Sequence, residues 1–413
     1  MINSHKVAGR PTVIDLFSGA GGLSGSFERA GFRTVAALDI DADCLETLKA
    51  TKAARLSIAG SHEVYLAGAK LVLGDIRDVA GSDLLPADSP SGWRPDVLAG
   101  GPPCQPFSSA GAGLGLNDPR GQLFTHFVRL SEALQPRIIL FENVAGLVTA
   151  KGPDGKPGGV LRLIQARFEE IGYACRFELM NAADYGASQR RVRLYMVASK
   201  DEALPQFPVS SHAERATSER LPWVPLATRI AGLSAPKADE IIRPKGKRAH
   251  ELYALKPGSG LKSVGIVEAN RPSGHWGYRQ DCFLADPALP SRTIRAASTP
   301  DWIRDEEGLR RLTWRECAAL QGFADGWEFM GGRTSRYRQI GNAVQGDIGT
   351  AIAAALAEAI AEPVLHQPAS VAWPASFDRR VRYTAMEERV NGAHRRAARS
   401  HRLKGNELLC AAE

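Results

Sequence analysis

Paired cysteines, paired histidines and long apolar runs are all missing from this chain of 413 residues. The six cysteines (Cys44, Cys104, Cys175, Cys282, Cys317 and Cys410) are scattered without a CxxC spacing, and the nine histidines show no HxxxH. A disulfide framework and a zinc site are therefore not expected, and a reducing compartment is the default. The first residues lack the apolar core of a signal peptide. No apolar stretch approaches the ~20 residues that a bilayer-spanning helix needs. A monomeric cytoplasmic protein with no membrane partner is expected. Charge of one sign is also scarce: Lys+Arg exceeds Asp+Glu by only 52 to 45. So small a surplus hints at a polyanionic partner and fits an ordinary solvated surface equally well. No internal repeat is present. Hydrophobic residues make up 44% of the chain, enough for cores in two or three domains.

Up to about residue 200 the sequence alternates between strand and helix patterns. The strand-like segments are Thr12–Phe17, Thr34–Ile40, Lys70–Ile76, Arg94–Gly100, Arg137–Val144 and Arg191–Ser199. Leu23, Phe27 and Ala30 mark a first helix stopped by Gly31, and Val160, Leu161, Ile164, Phe168 and Ile171 mark another closed by Gly172. Continuous apolar strands alternating with helices predict an α/β fold with a mainly parallel sheet covered on both faces. From residue 201 to 308 the rhythm breaks into Pro-, Gly- and Arg-rich sequence, which predicts a smaller, irregular domain. Order returns over 309–362, where Ile348, Ile352, Leu356 and Ile360 form one helical stripe. Residues 363–413 form an Arg-rich tail, read as flexible or as a helix ordered only on contact.

"DLFSGAGGLSG" (Asp15–Gly25) joins the first strand to the first helix. Gly19, Gly21 and Gly22 let the backbone turn tightly and approach a ligand, and the helix N-terminus behind them offers free N–H groups and partial positive charge. Phosphate or carboxylate would suit such a loop, and so would a simple tight turn with no ligand. Asp39 closes the second strand twenty residues past Gly19, where an acid binds ribose hydroxyls in dinucleotide sites. Asp75 closes the third strand at the same sheet edge. The three together favour a nucleoside ligand.

"GGPPCQPFSSAG" (Gly100–Gly111) follows the fourth strand. A solitary cysteine is more often a small hydrophobe than a nucleophile. Here Pro102 and Pro103 fix φ ahead of Cys104 and stiffen its mount, which suits a positioned thiolate. The glycine-rich stretch to Leu123 reads as a lid. Glu142 ends the fifth strand inside an apolar run, a costly place for a carboxylate without a partner. Strand alternation aims Arg191 and Arg193 to one side, toward an anion or a polar base. A structural salt bridge is the competing, less favoured reading of each of these three charges.

Taken in order, these segments resemble the DNA (cytosine-5) methyltransferase family. "DLFSGAGG" is similar to its first motif, "GGPPCQPFSSAG" to its Pro-Cys-Gln motif, and "FENV" to its Glu-Asn-Val motif. "QRRVRLYMV" is similar to its Gln-x-Arg-x-Arg motif, and "RRLTWRECAALQGF" and "QIGNAV" to the two near the C-terminus. The resemblance spans most of 12–200 and 309–362. It implies a Rossmann-like domain binding S-adenosyl-L-methionine, with 201–308 as target-recognition domain and 309–362 returning to the catalytic domain. By resemblance the cofactor would be held by Phe17, Ser18, Gly19, Gly21, Gly22, Asp39, Ile40, Asp75, Ile76, Pro102, Asn342 and Val344. Catalysis would fall to Cys104, attacking C6 of a flipped-out cytosine, with Glu142 on N3, Arg191 on O2 and Arg193 supporting the pocket. The implied partners are double-stranded DNA and, for a prokaryotic modification enzyme, a cognate restriction endonuclease. Gln105, Ser108, Arg271, Arg279 and Arg292 are the candidates for DNA contact.

Two departures from the family pattern stand out. Gln345 and Gly346 follow "GNAV" where prolines are usual, and only ninety residues separate Ser199 from Pro290. Three other readings compete. An amino-group methyltransferase would carry an aromatic residue where Cys104 stands. An RNA cytosine methyltransferase of the same family would share all of the chemistry. A non-catalytic DNA-binding relative would have no reason to keep Cys104, Glu142 and Arg191 together.

Overall fold

The computed structural model describes residues 9–103, 123–200, 202–261, 282–297, 299–364 and 368–386. Cys104, Gln105, Ser108, Arg271, Arg279 and the expected lid therefore lie outside the described residues.

The N-terminal half alternates as β1 (Thr12–Leu16), α1 (Gly22–Arg29), β2 (Arg33–Asp39), α2 (Ala42–Ala53), β3 (Lys70–Leu73) and β4 (Val97–Gly100). It continues as α3 (Leu123–Leu134), β5 (Ile138–Val144), α4 (Gly159–Glu170), β6 (Ala174–Asn181) and β7 (Val192–Ser199). β1 and β4 are buried along their whole length because helices cover both faces of the sheet. The strand order is β3-β2-β1-β4-β5-β7-β6, parallel from β1 to β5, with β7 antiparallel to both its neighbours. The order reverses between β1 and β4, the place where α/β sheets open a crevice at their carboxyl edge. Leu16 and Gly100 are register partners there, and a Cβ on Gly100 would lie 2.4 Å from the Leu16 carbonyl oxygen, so only glycine allows the strands to meet.

β6 was not legible as a strand. Its sequence, ACRFELMN, alternates buried and half-buried positions because it is the sheet's edge, and so lacks the continuous apolar run of the inner strands.

Beyond Ser199 come a two-residue pair, β8 (His212–Ala213) with β9 (Leu221–Pro222), and short helices α5 (Leu226–Ile230) and α6 (Lys247–Tyr253). A second, four-stranded sheet joins β10 (Ser259–Gly260), β11 (Phe283–Leu284), β12 (Trp302–Asp305) and β13 (Gly308–Arg311). The β12–β13 hairpin thus straddles the 308/309 division read from sequence. α7 (Trp314–Leu320), α8 (Arg333–Asn342) and α9 (Gly346–Ala361) follow, and α9 buries Ile348, Ile352 and Leu356 against Leu23 and Phe27 of α1. Residues 333–361 together have the length and hydropathy of a membrane span, which the sequence reading did not expect. Ala343 is extended, however (φ −60, ψ 150), so the stretch is two helices, and the apolar stripe of α9 is core. Part of the basic tail is ordered: residues 375–386 form a helix, α10, that buries Phe377 in the main core.

Candidate active site

The chain leaving β1 turns through Phe17 (φ 57) and Gly19 (φ 54), both left-handed. A left-handed phenylalanine costs on the order of 1 kcal/mol, held by the packing around it. Two carboxylates fix the turn. Asp39 accepts the Gly19 and Asp41 N–H groups, each at 2.8 Å. Asp15 accepts the Ser24 N–H at 3.0 Å and the Ser24 hydroxyl at 2.5 Å. Burial raises both: Asp39 lies above the usual carboxylate range, and Asp15 is pushed up to about 7. Asp15 had no role in the sequence reading, and its signal is position alone, an acid closing a buried strand before a glycine loop.

The raised Asp15 predicts a pH effect on stability. Its folded pKa of about 7 stands above the ordinary 3.8, so its favourable contribution is complete below about pH 3.8 and is lost as pH rises through 7. Asp15→Asn would keep an acceptor for Ser24 and remove the ionisation. Urea unfolding at pH 5 and pH 8 should show wild type losing on the order of 1–3 kcal/mol relative to Asp15→Asn at the higher pH.

A cavity of about 590 Å³ spans the crevice. Phe17, Ser18, Gly19, Asp39, Ile40, Asp75, Ile76, Pro102, Asn342 and Val344 line it together with Glu142, Arg191 and Arg193. Two sequence candidates fall outside the wall. A Cβ on Gly21 would lie 2.6 Å from Leu48 Cδ2 and one on Gly22 would lie 2.8 Å from the Val344 carbonyl oxygen, so the absence of a side chain at both lets neighbouring elements pack against the start of α1.

The wall suits an adenosyl cofactor on its own chemistry. Ser18 Oγ is buried and has no hydrogen-bond partner among the described residues. It sits beside the N-terminus of α1, a place for an anionic group. Ile40 is 65% exposed although it lines the cavity, an apolar face for a planar ring. Asp75 is already engaged: Arg77 Nε lies 3.0 Å from both its oxygens and holds the carboxyl below its usual range.

Across the crevice, Asn143 Nδ2 donates to the Pro102 carbonyl at 3.1 Å and so clamps the mount of residue 104 to β5. Glu142 pairs with Arg193, Nε to Oε1, at 3.3 Å. Burial raises Glu142 above the carboxylate range, against the pull of Arg193 and Arg191. Gly101 leaves room for it, since a Cβ there would stand 2.8 Å from Glu142 Oε2.

Arg191 is placed otherwise than expected. It precedes β7, so strand alternation does not govern it. Its Nη1 donates to the Ile294 carbonyl at 2.9 Å, and its Nη2 donates to the Gly341 and Ala343 carbonyls at 3.0 Å each. Burial, with Arg193 nearby, draws its pKa down to about 9, which leaves it charged at neutral pH. Buried glutamines complete this hub. Gln189 accepts the Ile294 N–H at 3.1 Å and donates to Gln321 at 2.8 Å, and Gln321 donates to the Ala343 carbonyl. Gln345 accepts the Asp347 and Ile348 N–H groups at 2.8 and 3.2 Å, capping α9. The residue found in place of a proline therefore starts the helix by other means.

Arg292, a candidate for DNA contact, is a core residue. It is 8% exposed, donates to Asp301 through Nε at 2.9 Å and stacks 3.7 Å over Phe283.

With the geometry in place, the likenesses to known proteins fall into line. The profile of the family described as C-5 cytosine-specific DNA methylase matches residues 11–358. Type II methyltransferase M.FnuDI of Fusobacterium nucleatum is 31% identical over 368 residues, covering 85% of this chain and 95% of that protein. Type II methyltransferase M1.HphI of Haemophilus parahaemolyticus is 33% identical over 362 residues, 86% of each. A solved E. coli prophage protein, described as a "putative DNA modification methyltransferase", shares the fold at a TM-score of 0.56 and 24% identity, covering 85% of this chain and 100% of that one.

Proposed function

The chain belongs to the C-5 cytosine-specific DNA methylase family and is a DNA cytosine-5 methyltransferase, and from that premise we propose how its residues carry the reaction. Its likeness to Type II methyltransferases supports a role as the modification half of a restriction–modification system, acting on cytosine in double-stranded DNA with a cognate endonuclease as its counterpart. The observation behind the mechanism is one cavity that joins Ser18, Asp39 and Ile40 on one side to Glu142 and Arg193 on the other, with Pro102 and Pro103 between. Residues 1–200 with 309–362 form the catalytic unit, and 201–308 reads the target.

S-adenosylmethionine, when bound, supplies the electrophilic methyl group that C5 accepts. Ser18 Oγ and the start of α1 hold its carboxylate, Asp39 its ribose hydroxyls, and Ile40 and Ile76 its adenine, with Asp75 at the adenine edge. The target cytosine leaves the duplex for the cavity, at a cost of a few kcal/mol. Cys104 adds to C6 as thiolate. Glu142, whose burial favours its protonated form, hydrogen-bonds N3 as charge develops there. Arg193 donates to O2, because it stands beside Glu142 whereas the guanidinium of Arg191 is committed to backbone carbonyls. Water then takes the C5 proton, the C–H electron pair re-forms the C5–C6 double bond, and the C6–S bond breaks to release Cys104 as thiolate.

Duplex DNA carrying 5-fluorocytosine at the target should trap a covalent adduct with the active enzyme and S-adenosylmethionine, since fluorine cannot leave as a proton does. A slow-migrating species on a denaturing gel is the expected result. Its absence with enzyme that methylates ordinary duplex would refute the C6 attack.

A further inference from the structure

The last described segment covers an edge and carries charge to the catalytic side. The Val371 N–H donates to the Cys175 carbonyl at 2.9 Å, and the Cys175 N–H donates to Ser370 Oγ at 2.9 Å, so residues 370–371 shield the open edge of β6. Trp373 Nε1 donates to Gln165 at 2.8 Å, and the Arg162 guanidinium lies 4.4 Å over the Trp373 ring. Phe377 has no exposed surface. Val381 Cγ2 stands 3.1 Å from where a Cβ on Gly158 would be, against the N-cap of α4.

These contacts give α10 a direction. β6 starts at the amino edge of the sheet, and α4 starts at the carboxyl edge, where β5 has just delivered Glu142. α10 therefore climbs from Cys175 toward Gly158, roughly 18 Å over a helix of this length. Arg379, Arg380 and Arg382 are exposed on it and have no ionic partner among the described residues. A packed helix thus aims cations at the edge where the substrate arrives.

We propose that α10 is a sequence-independent DNA arm: Arg379, Arg380 and Arg382 contact phosphates of the duplex flanking the target base. The inference rests on the reading that the substrate is duplex DNA. It gives the enzyme part of its hold on DNA outside the target-reading region, which is short.

The test uses the full chain with Arg379→Gln, Arg380→Gln and Arg382→Gln combined, all exposed positions away from the cavity. The probe is a labelled dA·dT duplex of about 30 base pairs, which has no cytosine, titrated by fluorescence anisotropy between about 50 and 200 mM salt. Each phosphate contact contributes about 0.9 to the slope of log K against log salt, so losing three should reduce the slope by about 2 to 3 and weaken binding on the order of tenfold. The triple Arg→Lys variant should retain most of the slope, and kcat at saturating cytosine-containing duplex should not change. A slope and affinity equal to wild type overturn the arm, and so does a greater loss on single-stranded RNA than on duplex. Methyl transfer by wild type to duplex DNA checks the underlying reading separately. If transfer fails, that reading falls. If transfer is normal and the slope is unmoved, only the arm falls.

Discussion

Cys104→Ala should abolish methyl transfer to duplex DNA, a fall in kcat on the order of 10⁶-fold, while S-adenosylmethionine binds as before. C5 of cytosine is a poor nucleophile until an adduct at C6 makes it enamine-like, so removing the sulfur removes the activation itself. Among the described residues, no thiol of the cavity wall can stand in. Cys44 lines the same cavity but is 5% exposed, and burial together with Asp39 and Asp41 pushes its pKa far above the ordinary thiol range. Cys317 is sealed in the core and shifted the same way. Cofactor binding should survive because Pro102 stays clamped by Asn143, and the side chains of the cofactor wall come from other strands. Transfer of labelled methyl groups and equilibrium binding of the cofactor separate the two effects. Turnover near wild type would exclude the covalent route, and loss of cofactor binding would make Cys104 a structural residue.

The legible parts of this molecule are those where one residue type answers one local demand. β1, β4 and β5 read as strands because both of their faces are buried, and Asp39 and Glu142 stood out as acids closing such runs. The glycines pointed to close approach without saying by what. Gly19 opens onto the cavity, whereas Gly21 and Gly22 are filled from behind by Leu48 and by the Val344 backbone. A glycine reports that a side chain is not tolerated, and sequence does not say whether ligand or protein occupies the space. Long-range partners were invisible for the same reason. Arg292 reads as a basic residue in a basic region until Asp301 and Phe283 fold around it. Gln345, a departure from the expected proline, turns out to cap α9 with its own side chain. A proline at 345 would offer no side-chain acceptor for those two N–H groups.

The two arginines of "QRRVR" should separate cleanly: both line the cavity, but the Nη groups of Arg191 are held by backbone carbonyls whereas Arg193 pairs with Glu142. Arg193→Ala removes the guanidinium that pairs with Glu142 at 3.3 Å and donates to the neighbouring Val192 carbonyl. Losing one such donor costs about 10²- to 10³-fold in kcat, and the fold should tolerate it. Glu142 should then titrate still higher, because the pull of Arg193 against its burial is gone. Arg191→Ala acts on stability instead. It leaves the carbonyls of Ile294, Gly341 and Ala343 without their charged donor, inside a region where a Cβ on Gly341 would already lie 2.2 Å from the Arg295 backbone. The Ala343 carbonyl keeps Gln321 as a donor, but the Ile294 and Gly341 carbonyls are left unmet, at a cost of about 3 kcal/mol. A fall in Tm of roughly 5 °C should follow, with cofactor affinity reduced because Asn342 and Val344 lose their support. Arg191→Lys should not rescue, since an ammonium cannot span three carbonyls in a planar fork. Thermal unfolding and kcat measured on the same preparations decide the assignment. A stable, inactive Arg191→Ala beside an active, unstable Arg193→Ala would reverse the two roles and return O2 of the base to Arg191.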